Sequence, residues 1–453
     1  VSNSDAKVPR LFGTDGVRGV AGHAPLDTTT VRRLGAALVR ALPRARGATH
    51  VLIGRDTRES GVWIEQELAH GAAGEGAEVT SVGVVPTPAV AYLTRASAEF
   101  EAGVVISASH NPYQDNGIKV FSGKGEKFTE AVEREIEAIV ADSTWKVRDG
   151  DAAEVTRADL VEAYLDHLRV IFPDASRLGR FRLGIDCANG ATTTVAPKLL
   201  ASLGLDAVIM GSQPDGRNIN LNCGSTHPEP LAQMVVERGC NMGVAFDGDG
   251  DRAIFVDHLG RIVDGDAVLL MCAAHLRQEN RLAGNAVVAT VMSNIGLELA
   301  LKALGIDLVR CAVGDKYVME EMLKRGLSLG GEQSGHIIFS DYLFTGDGLC
   351  TALNVLRIVA LTGRSLADLA AGLTTYPQVL LNVRVREKTE LTTVPAVAAA
   401  ISRVETRVAG QGRLLVRYSG TEPLLRVMVE GRNRDEIHSW AQEIVDVVRQ
   451  NLG

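Results

Sequence analysis

The chain has 453 residues, 46% hydrophobic and 23% charged, a soluble globular composition too long for one core and suggestive of about three domains. Its net charge of −8 speaks against a general binder of nucleic acid or of an anionic membrane, so a phosphorylated ligand would need a local basic pocket. The 6 cysteines are scattered without a C-x-x-C pair, no run approaches the roughly 18 apolar residues that span a bilayer, and Val1–Arg10 has no signal-peptide core; reduced thiols and a cytoplasmic location are expected.

In chain order, Leu11-Phe12-Gly13-Thr14-Asp15-Gly16-Val17-Arg18-Gly19 comes first, an arginine inside a glycine-rich segment. Alone it reads as a turn or helix N-cap; the sharper reading has Arg18 reaching a phosphate. The periodicity then predicts a helix over Thr29–Leu42 and a buried strand at Val51–Ile53. A second strand, Gly103–Ile106, runs into Ser107-Ala108-Ser109-His110-Asn111-Pro112, where Pro112 keeps it from continuing as a central strand. Ser109 is a candidate nucleophile with His110 beside it, but the G-x-S-x-G elbow of a hydrolase is missing. A plain polar turn explains the loop equally well. Lys119, by itself a surface lysine, precedes a helix over Thr129–Val140.

Strands at Leu183–Ile185, Met242–Phe246, Ala253–Val256 and Ala286–Val291 then alternate with helices such as Leu231–Arg238, which means α/β units on a parallel or mixed sheet. The strongest chemical motif is Phe246-Asp247-Gly248-Asp249-Gly250-Asp251-Arg252. Three carboxylates alternate with glycines just past a strand end, and all-oxygen ligands suit a hard cation such as magnesium. An EF-hand is excluded, because Arg252 and His258 stand where its Gly and Glu belong. Gly330-Gly331-Glu332-Gln333-Ser334-Gly335-His336 packs donors and acceptors between glycines, as a sugar's hydroxyls require, though a glycine-rich turn fits as well.

The last stretch changes character. Leu380–Arg386, Leu414–Tyr418 and Leu425–Glu430 read as strands, followed by a helix capped by Asn433 with the face Ile437, Trp440, Ala441, Ile444 and Val448. Arg417, Ser419, Gly420, Thr421 and Arg426 form a plausible phosphate cradle of guanidinium forks, hydroxyls and glycine backbone; a surface hairpin is the alternative. Boundaries are expected near 158, 256 and 373, giving units 1–158, 159–256, 257–373 and 374–453.

These five segments, in their order and spacing, resemble the α-D-phosphohexomutase superfamily over nearly the whole chain. The opening L-F-G-T-D-G-V-R-G and the G-E-Q-S-G-H loop are similar to those of its bacterial branch working on glucosamine phosphates. The resemblance implies an α/β fold of four domains, three mixed α/β and a C-terminal α+β one, around a central cleft. It implies that Ser109 is phosphorylated and that Asp247, Asp249 and Asp251 bind Mg2+ with Ser109 as a further ligand. Glu332, Gln333 and Ser334 would read the sugar, and Arg417, Ser419, Gly420, Thr421 and Arg426 would hold the non-reacting phosphate. Arg18 would stabilise the transferring group, while Lys119, His110 and His336 are candidates for proton transfer. Lys119 is the first choice as base, with a lowered pKa. The segment Val313-Gly314-Asp315-Lys316-Tyr317 also matches, except that many relatives carry Arg where this chain has Lys316, which keeps the charge and loses the fork.

The implied reaction converts glucosamine 6-phosphate to glucosamine 1-phosphate through a 1,6-bisphosphate, feeding UDP-N-acetylglucosamine and cell-wall precursors. Glucosamine or glucose 1,6-bisphosphate would be the activator, and a homodimer is implied. The rivals are a phosphomannomutase or phosphoglucomutase of the same superfamily and a non-catalytic phosphosugar sensor. A dehalogenase-type phosphatase ranks last, since Arg252 follows Asp249-Gly250-Asp251.

Overall fold

The computed structural model describes residues 10–43, 48–148, 154–419 and 423–453. Among them, four sheets succeed one another along the chain. The first has the strand order Phe12–Gly13, Gly16–Val20, Asp115–Ser122, Ala102–Ile106, Thr49–Arg55, Ala77–Val84, Val155–Arg157. Ala102–Ile106 is buried at every position, as an apolar strand with covered faces must be. It pairs in parallel with Thr49–Arg55 and antiparallel with Asp115–Ser122. In that hairpin Val105 faces Lys119, so the returning strand carries the lysine back beside the serine loop.

The second sheet runs Ile262–Val263, Ala253–Asp257, Met242–Phe246, Arg182–Asp186, Asp206–Met210. Phe246 pairs with Ala253, which places the three aspartates at the tip of an antiparallel hairpin. The boundary expected near 256 falls inside this sheet: the chain turns at Gly260 (φ +78°) and returns as Ile262–Val263 against Phe255 and Val256. A strand of 2 residues is too short to leave a periodic pattern.

The third sheet, Asp307–Cys311, Ala286–Thr290, Leu329–Gly331, Ile337–Phe339, closes with a hairpin whose loop is the 332–336 segment. The fourth is antiparallel, Gln378–Arg384, Leu424–Gly431, Gly412–Tyr418, under helices Pro395–Val408 and Arg434–Leu452. Asn433 caps the last helix by accepting from the Asp435 and Glu436 N–H groups. Ile437, Ala441, Ile444 and Val448 are buried on its inner face, and Trp440 packs half-buried beside them.

One apolar cluster runs through the first three units, from Leu52 to Leu366, whereas the fourth unit has its own between Val379 and Val448. All the cysteines are buried free thiols. Among the described residues no helix is long and apolar enough to cross a membrane.

Candidate active site

Ser109 adopts φ +53°, a left-handed conformation that a residue with a Cβ takes only when its surroundings impose it. Its N–H donates to Ser107 Oγ (2.9 Å), and its carbonyl accepts from Arg58 Nη2 (3.1 Å) and Asn220 Nδ2 (2.9 Å). Arg58, fully buried and paired with Asp56, comes from the first unit and Asn220 from the second. Two units therefore fix one turn. The Ser109 hydroxyl donates to Asp247 Oδ2 and lies 3.3 Å from His110 Nδ1. Gly248 explains the closeness: a Cβ there would stand 2.6 Å from the Ser109 carbonyl oxygen.

The side-chain oxygens of Asp247, Asp249 and Asp251 gather within 4.8 Å of one another, all buried. Asp249 Oδ2 accepts from Thr87 Oγ1 (2.6 Å) and from Lys119 Nζ (2.8 Å), and Asp251 Oδ2 from Lys119 Nζ (3.0 Å). Among the described residues Asp249 Oδ1 and Asp251 Oδ1 have no hydrogen-bond partner. Buried carboxylate oxygens without a partner are costly, and an all-oxygen donor set of this kind fits a hard divalent cation. Burial, then the charges of Asp251 and Asp249, lifts the Asp247 carboxyl well above the usual range. Burial acts in the same sense on Asp251, but Lys119, His336 and Arg252 outweigh it and bring that carboxyl down to about 2.

Lys119 corrects two expectations at once. It is 1% exposed, not a surface lysine, and its pKa is not lowered. Burial pulls it down, but Asp15 (3.0 Å), Asp249 and Asp251 more than offset this and hold it well above the ordinary value. As it stands the group is an ammonium and donates. His110 goes the other way: burial, then the charges of Arg252 and Arg18, lower it to about 4, so its ring is neutral near neutral pH.

A cavity of about 360 Å³ opens in front of these groups. Asp15, Arg18 and His110 of the first unit line it, with Asp251 and Arg252 of the second and Asp315, Glu332 and His336 of the third. Arg18 pairs with Asp15, and its buried Nε has no hydrogen-bond partner among the described residues. His336 Nε2 lies 3.2 Å from the Gly346 N–H and 3.3 Å from Asp315 Oδ2, and Glu332 Oε1 accepts from the Gly314 N–H (3.2 Å).

Models of the phosphoglucomutase/phosphomannomutase family match this chain in order: α/β/α domain I over 9–146, domain II over 162–260, domain III over 264–376 and the C-terminal domain over 380–447. The chain belongs to that family. It is 51% identical over 448 residues to the phosphoglucosamine mutase of Solibacter usitatus, covering 98% of this chain and 99% of that one. To the phosphoglucosamine mutase of Syntrophotalea carbinolica it is 47% identical, with 98% of each covered. Among solved structures, a phosphoglucomutase/phosphomannomutase family protein of Burkholderia thailandensis superposes with a TM-score of 0.80 at 24% identity, over 98% of this chain and 97% of that one. That likeness concerns the fold, which is the expected four-domain architecture.

Not every residue expected at this family's site reaches the cavity. The Gln333 amide donates to Asp264 Oδ2 (3.0 Å), and neither Gln333 nor the exposed Ser334 is on the cavity wall. Arg417 and Arg426 face each other across the fourth sheet, and Arg426 Nη2 donates to Ser419 Oγ (3.4 Å); none of the three lines the cavity. Gly420 and Thr421 lie outside the described residues. Lys316 is buried against Glu133 (2.6 Å). Sequence reasoning gave no role to Asp15, Thr87, Lys127, Asn220 or Asp315, although Asp15 and Asp315 stand next to glycines inside segments that it singled out.

Proposed function

We propose that this chain interconverts glucosamine 6-phosphate and glucosamine 1-phosphate, carrying the phosphoryl group on Ser109 through a 1,6-bisphosphate. The observation that supports this best is the Ser109 hydroxyl, held in a strained turn against Asp247 at the edge of the three-carboxylate group. A sensor that only binds needs no such residue. The name shared by the two curated relatives supplies the amino sugar.

In the forward half-reaction the O–P bond at Ser109 breaks and one to the sugar O1 forms, while the O1 proton leaves and Ser109 regains its own. After the bisphosphate turns over, Ser109 loses its proton, the O6–P bond breaks as the bond to Ser109 forms, and O6 gains a proton. His110, neutral and beside the Ser109 hydroxyl, is suited to exchange the serine proton; Lys119, charged, to donate one; His336, also on the cavity wall, is the third candidate. Arg18 and Arg252 face the oxygens on which charge builds. Glu332, with Gln333 and Ser334, reads the sugar, and Arg417, Ser419, Gly420, Thr421 and Arg426 hold the phosphate that is not reacting. Magnesium held by Asp247, Asp249, Asp251 and Ser109 would neutralise charge on the transferring group. A trace of glucosamine or glucose 1,6-bisphosphate primes Ser109, and the enzyme works as a cytoplasmic homodimer.

The test is a coupled assay with magnesium and a trace of the bisphosphate, comparing glucosamine, glucose and mannose 6-phosphates. Preference for the amino sugar, abolished by Ser109→Ala, is expected. A preference for glucose or mannose phosphate would discard the substrate, and turnover surviving in Ser109→Ala would discard the nucleophile.

A further inference from the structure

Lys127 lies outside every motif of the sequence and off the cavity wall, yet its side chain is only 9% exposed. Its ammonium donates to Asp15 Oδ1 (2.5 Å) and to Asp315 Oδ2. Asp15 belongs to the glycine-rich opening of the first unit, and Asp315 begins the helix Asp315–Arg325 of the third. Each carboxylate in turn touches groups that face the cavity. Asp15 pairs with Arg18 and lies 3.0 Å from Lys119 Nζ, while Asp315 lies 3.3 Å from His336 Nε2. Without the ammonium, Asp15 would keep Arg18 and Lys119, but Asp315 would face that carboxylate across the boundary between the units with only His336 beside it. Like charges in so dry a place drive their loops apart.

We infer that Lys127 is a positioning residue that clamps the first and third units over the cavity, and so sets Arg18, Lys119 and His336 for phosphoryl transfer. The inference rests on the mutase reading above. It adds a contribution from a residue that touches neither substrate nor metal. It also predicts a dependence on charge: the clamp needs a cation between the two carboxylates, or one carboxylate fewer.

Three variants test this in the full-length protein with the same coupled assay: Lys127→Met, Lys127→Arg, and Lys127→Met combined with Asp315→Asn. Lys127→Met is expected to lower kcat by about a hundredfold with KM changed less than about threefold, since misplaced groups cost the transition state more than binding. Lys127→Arg keeps the charge and is expected to recover most of that loss. Asp315→Asn removes the repulsion and is expected to restore kcat at least about fivefold in the Met background, a non-additive response for groups in contact. A Lys127→Met enzyme within about threefold of the parent kcat would overturn the clamp. So would equal impairment of all three variants. Should Lys127→Met fail to fold, the double variant is read in its place, and its failure to fold as well would also overturn the clamp. A parent protein without mutase activity defeats the functional reading itself, whereas an active parent with an indifferent Lys127→Met defeats only this inference.

Discussion

Asp266 is fully buried at the start of the helix Gly265–Gln278. Its Oδ2 accepts from the Asn294 N–H (2.8 Å). Burial pushes its carboxyl up to about 7, with the charge of Asp264 adding to the rise and the Asn294 N–H opposing it. An unfolded aspartate titrates near 3.9. Between about 4 and 7 the folded chain thus binds the extra proton, so this group's contribution to stability falls as pH rises through that window and is flat above it. Asp266→Asn keeps an acceptor for Asn294 and removes the titration. Melts between about pH 5 and 8 should show the variant gaining on the parent as pH rises, by at most about 3 kcal/mol. A constant gap across the range would reject Asp266 as the source.

At the scale of elements, the hairpin loop 332–336 is shaped by what lies behind it. The Gly265 N–H donates to the Gln333 carbonyl (2.9 Å), and a Cβ on Gly265 would stand 2.0 Å from the Glu332 carbonyl oxygen. Asp264 also caps the helix, through the Ala267 N–H, while holding the Gln333 amide. One helix start thus fixes the loop that carries Glu332. Gly265→Ala should shift the loop and lower kcat/KM by roughly tenfold or more, against a backbone clash that no rotamer can relieve. Unchanged kinetics with an intact fold would show that the loop is placed by other contacts. This also explains what the sequence could reveal. The aspartate loop was legible because its carboxylates sit in contiguous residues after an apolar strand, 246–252, whereas the serine loop, 106–112, read equally well as a polar turn until the resemblance singled out Ser109. The Gln333–Asp264 bond spans 69 positions, and the Lys127–Asp15 and Lys127–Asp315 contacts span 112 and 188. No local pattern encodes such meetings, so neither the Asp264 partner of Gln333 nor the two carboxylates around Lys127 left a mark in the sequence.

At the scale of the molecule, the fourth unit stands apart energetically. The first three share one large apolar cluster, beside a smaller one in each, and the shared cluster couples their stability. The fourth buries its own cluster between its sheet and its helices. Its sheet meets the third through a polar contact, Arg413 Nη2 to the Ser293 carbonyl (3.1 Å), next to the Asn294–Tyr376 bonds (2.9 and 3.0 Å) that hold the connecting chain to the third unit. A junction of hydrogen bonds transmits far less stability than a common core, because each is worth only about 1 kcal/mol net. Leu425 is fully buried in the fourth cluster, and Leu425→Ala should cost roughly 2–5 kcal/mol there. Hydrogen exchange read by segment should then show faster opening of the strands Gln378–Arg384, Gly412–Tyr418 and Leu424–Gly431, with Ala102–Ile106 and Met242–Phe246 as protected as in the parent. Loss of protection in all the sheets together would mean that the polar junction couples the fourth unit to the rest as firmly as a shared core does.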